Sequence, residues 1–254
     1  MRTLLSLVLF ALPAVAAPRD FPFTWTSSTA NAGEDQLEAW ATPRLARTDD
    51  FLRLDTRLVW THGVTRTVES QLSMDLDWER TDVSASLDPK LTSLWRWTTW
   101  RSGGPFAAGG LGRVSLARDL LELEGRLFAD LRLGRVLMAL NFSGSTGALW
   151  AGRTGVDTRL EESFAIKVSL SASAAVGLEV RGKSSWQRRD YQGSALYLGP
   201  ALTWTHPSFW VSLGGYAQVA SDKAPADKDL AEKQELRDNE RFVLRLTFGA
   251  VTRK

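Results

Sequence analysis

Cysteine is absent from the 254 residues, and histidine occurs only twice, at His62 and His206. The first absence excludes a disulfide-stapled scaffold, a thiolate zinc site, a cysteine nucleophile and a lipid anchor on an N-terminal cysteine. The second leaves little from which to build an imidazole general base or metal site. A dominant charge is also missing. The 31 Lys and Arg nearly balance the 29 Asp and Glu, so a pI near 9.0 is no basic footprint for nucleic acid. Long apolar runs are missing as well: a membrane helix needs about 20 consecutive apolar residues, and only the first 17 residues come close. At 44% apolar residues, the chain is nevertheless too apolar to be disordered throughout.

What is present begins with an address. Met1 and Arg2 form a basic start, residues 4–14 an apolar middle, and Ala14-Val15-Ala16 a small-x-small cleavage site. This combination predicts an export leader over 1–16. Residues 17–35 form a separate N-terminal segment, and 36–254 the main domain.

The main domain alternates with period two. In 66–79, Val68, Ser70, Leu72, Met74, Leu76 and Trp78 share one face, and Glu69, Gln71, Ser73, Asp75 and Asp77 the other. The same pattern runs through 120–133, 159–170 and 241–248. Weaker versions occur at 36–46, 51–61, 91–101, 107–117, 136–147, 174–182, 194–205 and 209–219. A helix would mix the two sets. These are twelve strands, most of them longer than the 5–6 residues usual in soluble sheets and close to the roughly 9–11 residues that cross an outer membrane. The fold expected is all-β, a transmembrane antiparallel up-and-down β-barrel of about twelve strands.

Connections at one end are short: His62-Gly63-Val64-Thr65, Ser102-Gly103-Gly104-Pro105, Gly134-Arg135, Ser171-Ala172-Ser173 and His206-Pro207-Ser208. At the other end, 80–90, 148–158, 183–193 and 220–240 are longer and polar, while Arg47-Thr48-Asp49-Asp50 and Arg118-Asp119 are tight. Short periplasmic turns with longer outer loops are the outer-membrane pattern. Trp40, Trp60, Trp78, Trp100, Trp204 and Trp210 fall near strand ends, where lipid-facing aromatic girdles are expected. Glycines at 109, 110, 112, 199, 214 and 215 mark bends or room for an inward aromatic.

In a barrel the polar rows line the lumen. The lumen-lining set expected is Glu38, Arg53, Asp55, Arg57, Glu69, Asp75, Glu122, Glu124, Arg126, Asp130, Arg132, Glu161, Lys167, Glu179, Arg181 and Arg245, with Arg44, Asp77, Arg159 and Arg241 on the same rows. Ten acids face ten bases, which points to cross-strand ion pairs and weak charge selectivity. The excess of 24 Arg over 7 Lys suits bidentate pairing with carboxylates. Two readings of this lumen stay open, a polar pore and a side-chain plug. Residues 17–35, with Phe21, Phe23 and Trp25, either fold into the lumen or lie in the periplasm.

No catalytic or metal constellation emerges, and no cofactor is expected. His206-Pro207-Ser208 resembles the His-x-Ser pair of lipid A deacylases. It lies at the periplasmic end, however, away from outer-leaflet substrate, and the proline fixes a turn.

Gly33-Glu34 with Leu37-Glu38-Ala39-Trp40, Gly177-Leu178-Glu179-Val180, 195–200, 209–214 and 241–249 resemble strands of outer-membrane β-barrel proteins of Gram-negative bacteria, porin-like chains among them. Some of these are grouped with transporters of the phenol-degradation meta-pathway type. The resemblance implies an integral barrel and passive transport, and carries over no site residue. The function expected is a narrow, weakly selective pore or passive transporter for small polar or aromatic solutes, not an enzyme. The alternatives are a lipid-modifying barrel or a structural or adhesion barrel. The partners expected are outer-membrane lipid, lipopolysaccharide and the barrel-assembly machinery, with no nucleic acid.

Overall fold

A computed structural model describes residues 19–45, 52–80, 85–99, 104–118, 120–149, 156–187, 190–223 and 240–252. The leader expected over 1–16, Trp100 and most of the 220–240 connection lie outside the described residues. Twelve strands form the barrel: β1 (Asp35–Leu45), β2 (Leu52–Gly63), β3 (Val68–Arg80), β4 (Ala85–Thr98), β5 (Phe106–Ala117), β6 (Leu120–Leu133), β7 (Val136–Leu149), β8 (Val156–Ser169), β9 (Ala174–Gln187), β10 (Asp190–His206), β11 (Phe209–Lys223) and β12 (Phe242–Thr252). Each pairs antiparallel with its sequence neighbours, and β1 closes on β12 from Asp35↔Thr252 to Leu45↔Phe242. Closure leaves no strand edge without hydrogen-bond partners, a condition for a sheet surrounded by lipid.

Alternation decides which way each side chain points. Leu58, Met74, Leu91, Leu127, Leu140, Leu202 and Leu244 are exposed on the outer surface, and large apolar residues occupy that surface around the whole barrel. A continuous apolar girdle of this extent is a lipid-facing surface. Polar and charged residues alternate inward with them: Glu38, Thr61, Glu69, Asp75, Thr92, Ser115, Asp130, Ser163, Glu179 and Thr247 are all buried.

The strands run further than the alternation predicts at the long-loop end. β4 starts at Ala85 rather than 91, β9 continues to Gln187 rather than 182, and β10 starts at Asp190 rather than 194. Beyond the apolar girdle both sheet faces are wet, so the period-two signal fades while ladder pairing persists, as in Trp186↔Tyr191 and Gln187↔Asp190. Pro89 is tolerated in β4 because it lies just beyond Lys90, where pairing with β5 begins. Its missing N–H breaks no bond on that side.

The aromatic girdle at the short-turn end is real but differs from expectation in two members. Trp60, Trp95, Trp97 and Trp204 are exposed on the outer surface, with Phe106 and Phe248. Trp204, His206, Phe209 and Phe248 stack in a continuous group, with ring centroids 4.8–5.9 Å apart along it. Trp40 and Trp210, by contrast, point into the lumen, 8% and 0% exposed. Nearness to a strand end says nothing about face. Trp40 shares the inward row of Glu38 and Thr42, and Trp210 that of Ser212. The inward Trp210 ring lies directly over Gly249, and inward Tyr216 over Gly214, where a Cβ would collide with the rings.

An arginine on the outer surface at mid-girdle tests this orientation. Met74→Arg is expected to lower unfolding free energy in phospholipid vesicles by about 2–4 kcal/mol, against about 0–1 for Leu87→Arg near the long-loop end. Equal effects in urea titrations would contradict it.

Candidate functional site

Residues 19–32 run inside the barrel. Gly33, at φ 75°, turns the chain from β1 back into the lumen, and its N–H donates to Gly63 O at 2.7 Å. The segment has no strand partner, so lumen side chains satisfy its backbone. Ala30 N donates to Glu69 (2.8 Å), Ser27 N to Asp130 (2.5 Å), and Thr24 N and Phe23 N to Glu179 (2.8 and 3.3 Å). Asn141 binds Trp25 in both directions, accepting from its N–H at 2.8 Å and donating to its carbonyl at 2.9 Å. Arg96 donates to Ser28 O at 2.5 Å, and Arg245 to Pro22 O at 3.2 Å. The hydroxyls of Thr24 and Ser163 lie 3.0 Å apart. Contacts on β3, β4, β6, β7, β8, β9 and β12 carry the segment around the lumen wall.

Its side chains fit recesses in that wall. Phe21 is fully buried against Leu137, Ala139, Ala165 and Ala201, where small inward residues leave room for the ring. Phe23 packs with Ala195, Tyr197, Tyr216 and Val243, edge-on to Tyr216 at 4.9 Å. Arg19 pairs with Glu38 at 2.9 Å and lies over the rings of Trp25 and Trp40 at 4.0 and 4.1 Å, so the inward Trp40 serves the segment rather than the lipid. Asp20 binds Lys167 at 2.5 Å, and Arg132 at the rim approaches it to 3.9 Å. Burial pushes the Asp20 carboxyl up, but Lys167, Thr26 and Arg132 outweigh it and hold the group below the usual aspartate range. The Asp20 contact therefore contributes fully above that range and is lost only as pH falls through the depressed value. The cavity left between segment and wall is about 20 Å³, room for a single water. A wider recess of about 430 Å³ at the short-turn mouth is bordered by Ser27, Asn31 and Arg66.

On the long-loop side of the segment, the lumen carries a belt of ion pairs. Arg44–Asp55 (2.5 Å), Arg53–Asp55 (2.6 Å), Arg53–Asp77 (3.1 Å) and Arg57–Asp75 (2.6 Å) link β1, β2 and β3. Arg113 bridges Glu122 and Glu124 at 3.1 and 2.6 Å, and Lys90 reaches Glu122 at 3.4 Å. Arg126 contacts Glu124 at 3.1 Å, and Arg181 contacts Glu161 at 2.6 Å.

All sixteen lumen residues expected from alternation lie on inward rows, although Arg132 stands at the rim with its side chain 51% exposed. Arg241 immediately precedes β12 and is exposed at the long-loop end. The uniform matching of acids with bases needs correction. Among the described residues, Asp130 and Glu179 make no salt bridge; they hold backbone and hydroxyl groups of residues 19–32, and Glu179 also accepts from Tyr216. Sequence reading did not pick out Arg19, Asp20, Lys90, Arg96, Arg113, Asn141, Ser163 or Tyr216 as lining residues. Lys90, Arg96 and Arg113 were legible from inward parity alone.

His62 lies at the short-turn end beside Asp35, at 2.9 Å. His206 is exposed there, accepts from Ser208 N at 3.4 Å and lies over Phe209 with ring centroids 4.8 Å apart. Among the described residues no group of three metal-ligating side chains occurs.

A closed twelve-strand barrel with a lipid-facing girdle, polar lumen and short turns at one end decides the architecture. The fold is that of the outer-membrane porin-type β-barrels. The chain is similar to an outer membrane channel from Pseudomonas putida F1 (8% identity, 93% of this chain and 99% of that one, TM-score 0.60). It is also similar to the NanC porin (9% identity, 86% and 99%, TM-score 0.56) and to the β domain of the Bordetella autotransporter BrkA (8%, 87% and 99%, TM-score 0.58). No protein-family model and no curated relative matches the chain.

Removing a wall acceptor should loosen the segment without opening the barrel. Asp130→Ala or Glu179→Ala leaves segment amides unpartnered at a cost of about 1–3 kcal/mol each, so exchange of the 20–30 amides should quicken by roughly five- to a hundredfold. Hydrogen-exchange mass spectrometry checks this, with strand amides as the internal reference. Unchanged exchange in both variants would contradict the assignment.

Proposed function

We propose that this protein is a narrow, weakly selective passive pore of the outer membrane for small polar or aromatic solutes, closed at its periplasmic half by residues 19–32. The carrying observation is how the segment is held. It is tied to the wall by hydrogen bonds, ion pairs and ring contacts from side chains, with no strand pairing beyond the Gly33–Gly63 turn. Such contacts exchange readily with water and solute. Above the segment, the paired belt offers alternating charges to a polar solute. Near-equal numbers of paired charges on that belt support weak selectivity. Outer-membrane lipid and lipopolysaccharide would cover the girdle, and the barrel-assembly machinery would insert the chain.

Planar bilayer recording tests the reading. The intact barrel should show small or infrequent conductance steps, and a variant lacking residues 19–32 should show larger, sustained ones. Absence of steps in both, with the deletion variant still shifting in gel mobility on boiling as a folded barrel does, would reject a pore in favour of a non-conducting structural barrel.

A further inference from the structure

One ionisable side chain stands within the apolar girdle. Rows alternate along β8, and Glu162 falls on the outward row of Leu160, Phe164 and Val168, where it is exposed. Across the sheet it lies between Phe142 on β7 and Gly182 on β9, and Leu196 on β10 follows in the same row. Leu160 toward the long loops, Phe164 toward the short turns, Phe142 and Leu196 are all exposed apolar side chains. The carboxyl is therefore ringed by apolar surface rather than set at its margin. Among the described residues, other ionisable groups with outward parity stand at or just past strand ends: Asp35, His62 and His206 toward the short turns, Arg80, Arg118 and Asp222 toward the long loops.

The side chain lies flat on the sheet. A Cβ at Gly182 would come within 2.8 Å of Glu162 Oε1 and 3.0 Å of its Cγ, so the glycine leaves the place that the carboxyl takes. Among the described residues, Glu162 makes no hydrogen bond or salt bridge. The surface beside it is low. Gly112, Gly125 and Gly144 are successive ladder partners with outward parity, and Gly144 pairs with Leu160. A Cβ at Gly112 or Gly125 would meet nothing within 4 Å. A carboxyl in an apolar layer is costly unless it is hydrogen-bonded, and lipid chains offer it no partner.

We propose that the outer face of β7 to β9 is the contact between two copies of this chain, with their Glu162 carboxyls meeting across a two-fold axis normal to the membrane. Rotation about such an axis keeps every residue at its own depth. A second copy therefore brings to Glu162 the ionisable group that lies at the same depth, its own counterpart. Two apposed carboxyls hold one proton between them and hydrogen-bond through it. The low surface at Gly144 and Gly182 lets the two sheets approach closely, and Phe142, Leu160 and Phe164 pack around the pair. The contact lies on the outside of the barrel, so it goes beyond the pore reading and does not depend on it.

The absence of cysteine makes the contact testable with single introduced thiols in phospholipid vesicles. A short bismaleimide should join Leu160→Cys barrels into dimers, and should leave Leu58→Cys, on β2 across the barrel, monomeric. Energy transfer between barrels labelled at Ser171→Cys, followed as lipid is added, gives the dissociation of the dimer. Glu162→Leu should weaken the dimer roughly three- to thirtyfold. Glu162→Gln, whose amide both donates and accepts, should retain it. Gel mobility before and after boiling shows that each variant is folded; should Glu162→Leu fail to assemble, the two crosslinking variants carry the test. Barrels that stay monomeric at every dilution, with or without lipopolysaccharide in the vesicles, would overturn the contact. Equally tight dimers in wild type and Glu162→Leu, or equal crosslinking from the two cysteine positions, would overturn it as well.

Discussion

Backbone amides of an irregular segment packed against a barrel wall must find acceptors, because the space left beside it holds no more than about one water. The placement of acids on the lumen wall follows from that need. Glu69, Asp130 and Glu179 each receive an amide from residues 19–32, and Asn141 takes both backbone groups of Trp25. These residues sit on β3, β6, β9 and β7, so the segment is held by the circumference of the barrel rather than by one strand. The small inward residues Ala139, Ala165 and Ala201 belong to the same design, since they form the recess that Phe21 fills.

Charge is layered around this segment. Toward the long-loop end, arginines and carboxylates from neighbouring strands neutralise one another at 2.5–3.6 Å. Buried pairs of this kind add little net stability, but breaking one leaves an expensive orphan, so the belt fixes lumen shape. At the boundary the chemistry changes. Arg245 turns from the belt toward the Phe23 ring and the Pro22 carbonyl of the plug, while Arg19, within the plug, reaches out to Glu38 on the wall.

The barrel was legible in the sequence because lipid on one side and a polar lumen on the other impose alternation on every strand. That single constraint located all twelve strands and the inward rows of Glu69, Asp130, Glu179 and Arg245. It failed where its cause stops. Beyond the girdle both faces are wet, and the outer ends of β4, β9 and β10 escaped notice. Trp40 and Trp210 were misplaced because proximity to a strand end was weighed above parity. The fate of residues 19–32 was not legible, since the segment has no periodicity and its partners lie up to 223 residues away. An equal tally of acids and bases also hid that two of the acids, Asp130 and Glu179, serve amides rather than arginines.

The central claim is that residues 19–32 close the lumen and can leave it. The cysteine-free background offers a direct test in a Thr24→Cys, Ser163→Cys double variant, because these hydroxyls are 3.0 Å apart across the segment–wall contact. Single-channel current is recorded on the oxidised barrel and again after reductant is added to the same bilayer. The account predicts a silent or minimally conducting barrel when oxidised and the appearance of conductance steps on reduction. Equal conductance in the two states, with the crosslink verified by mass spectrometry, would contradict it.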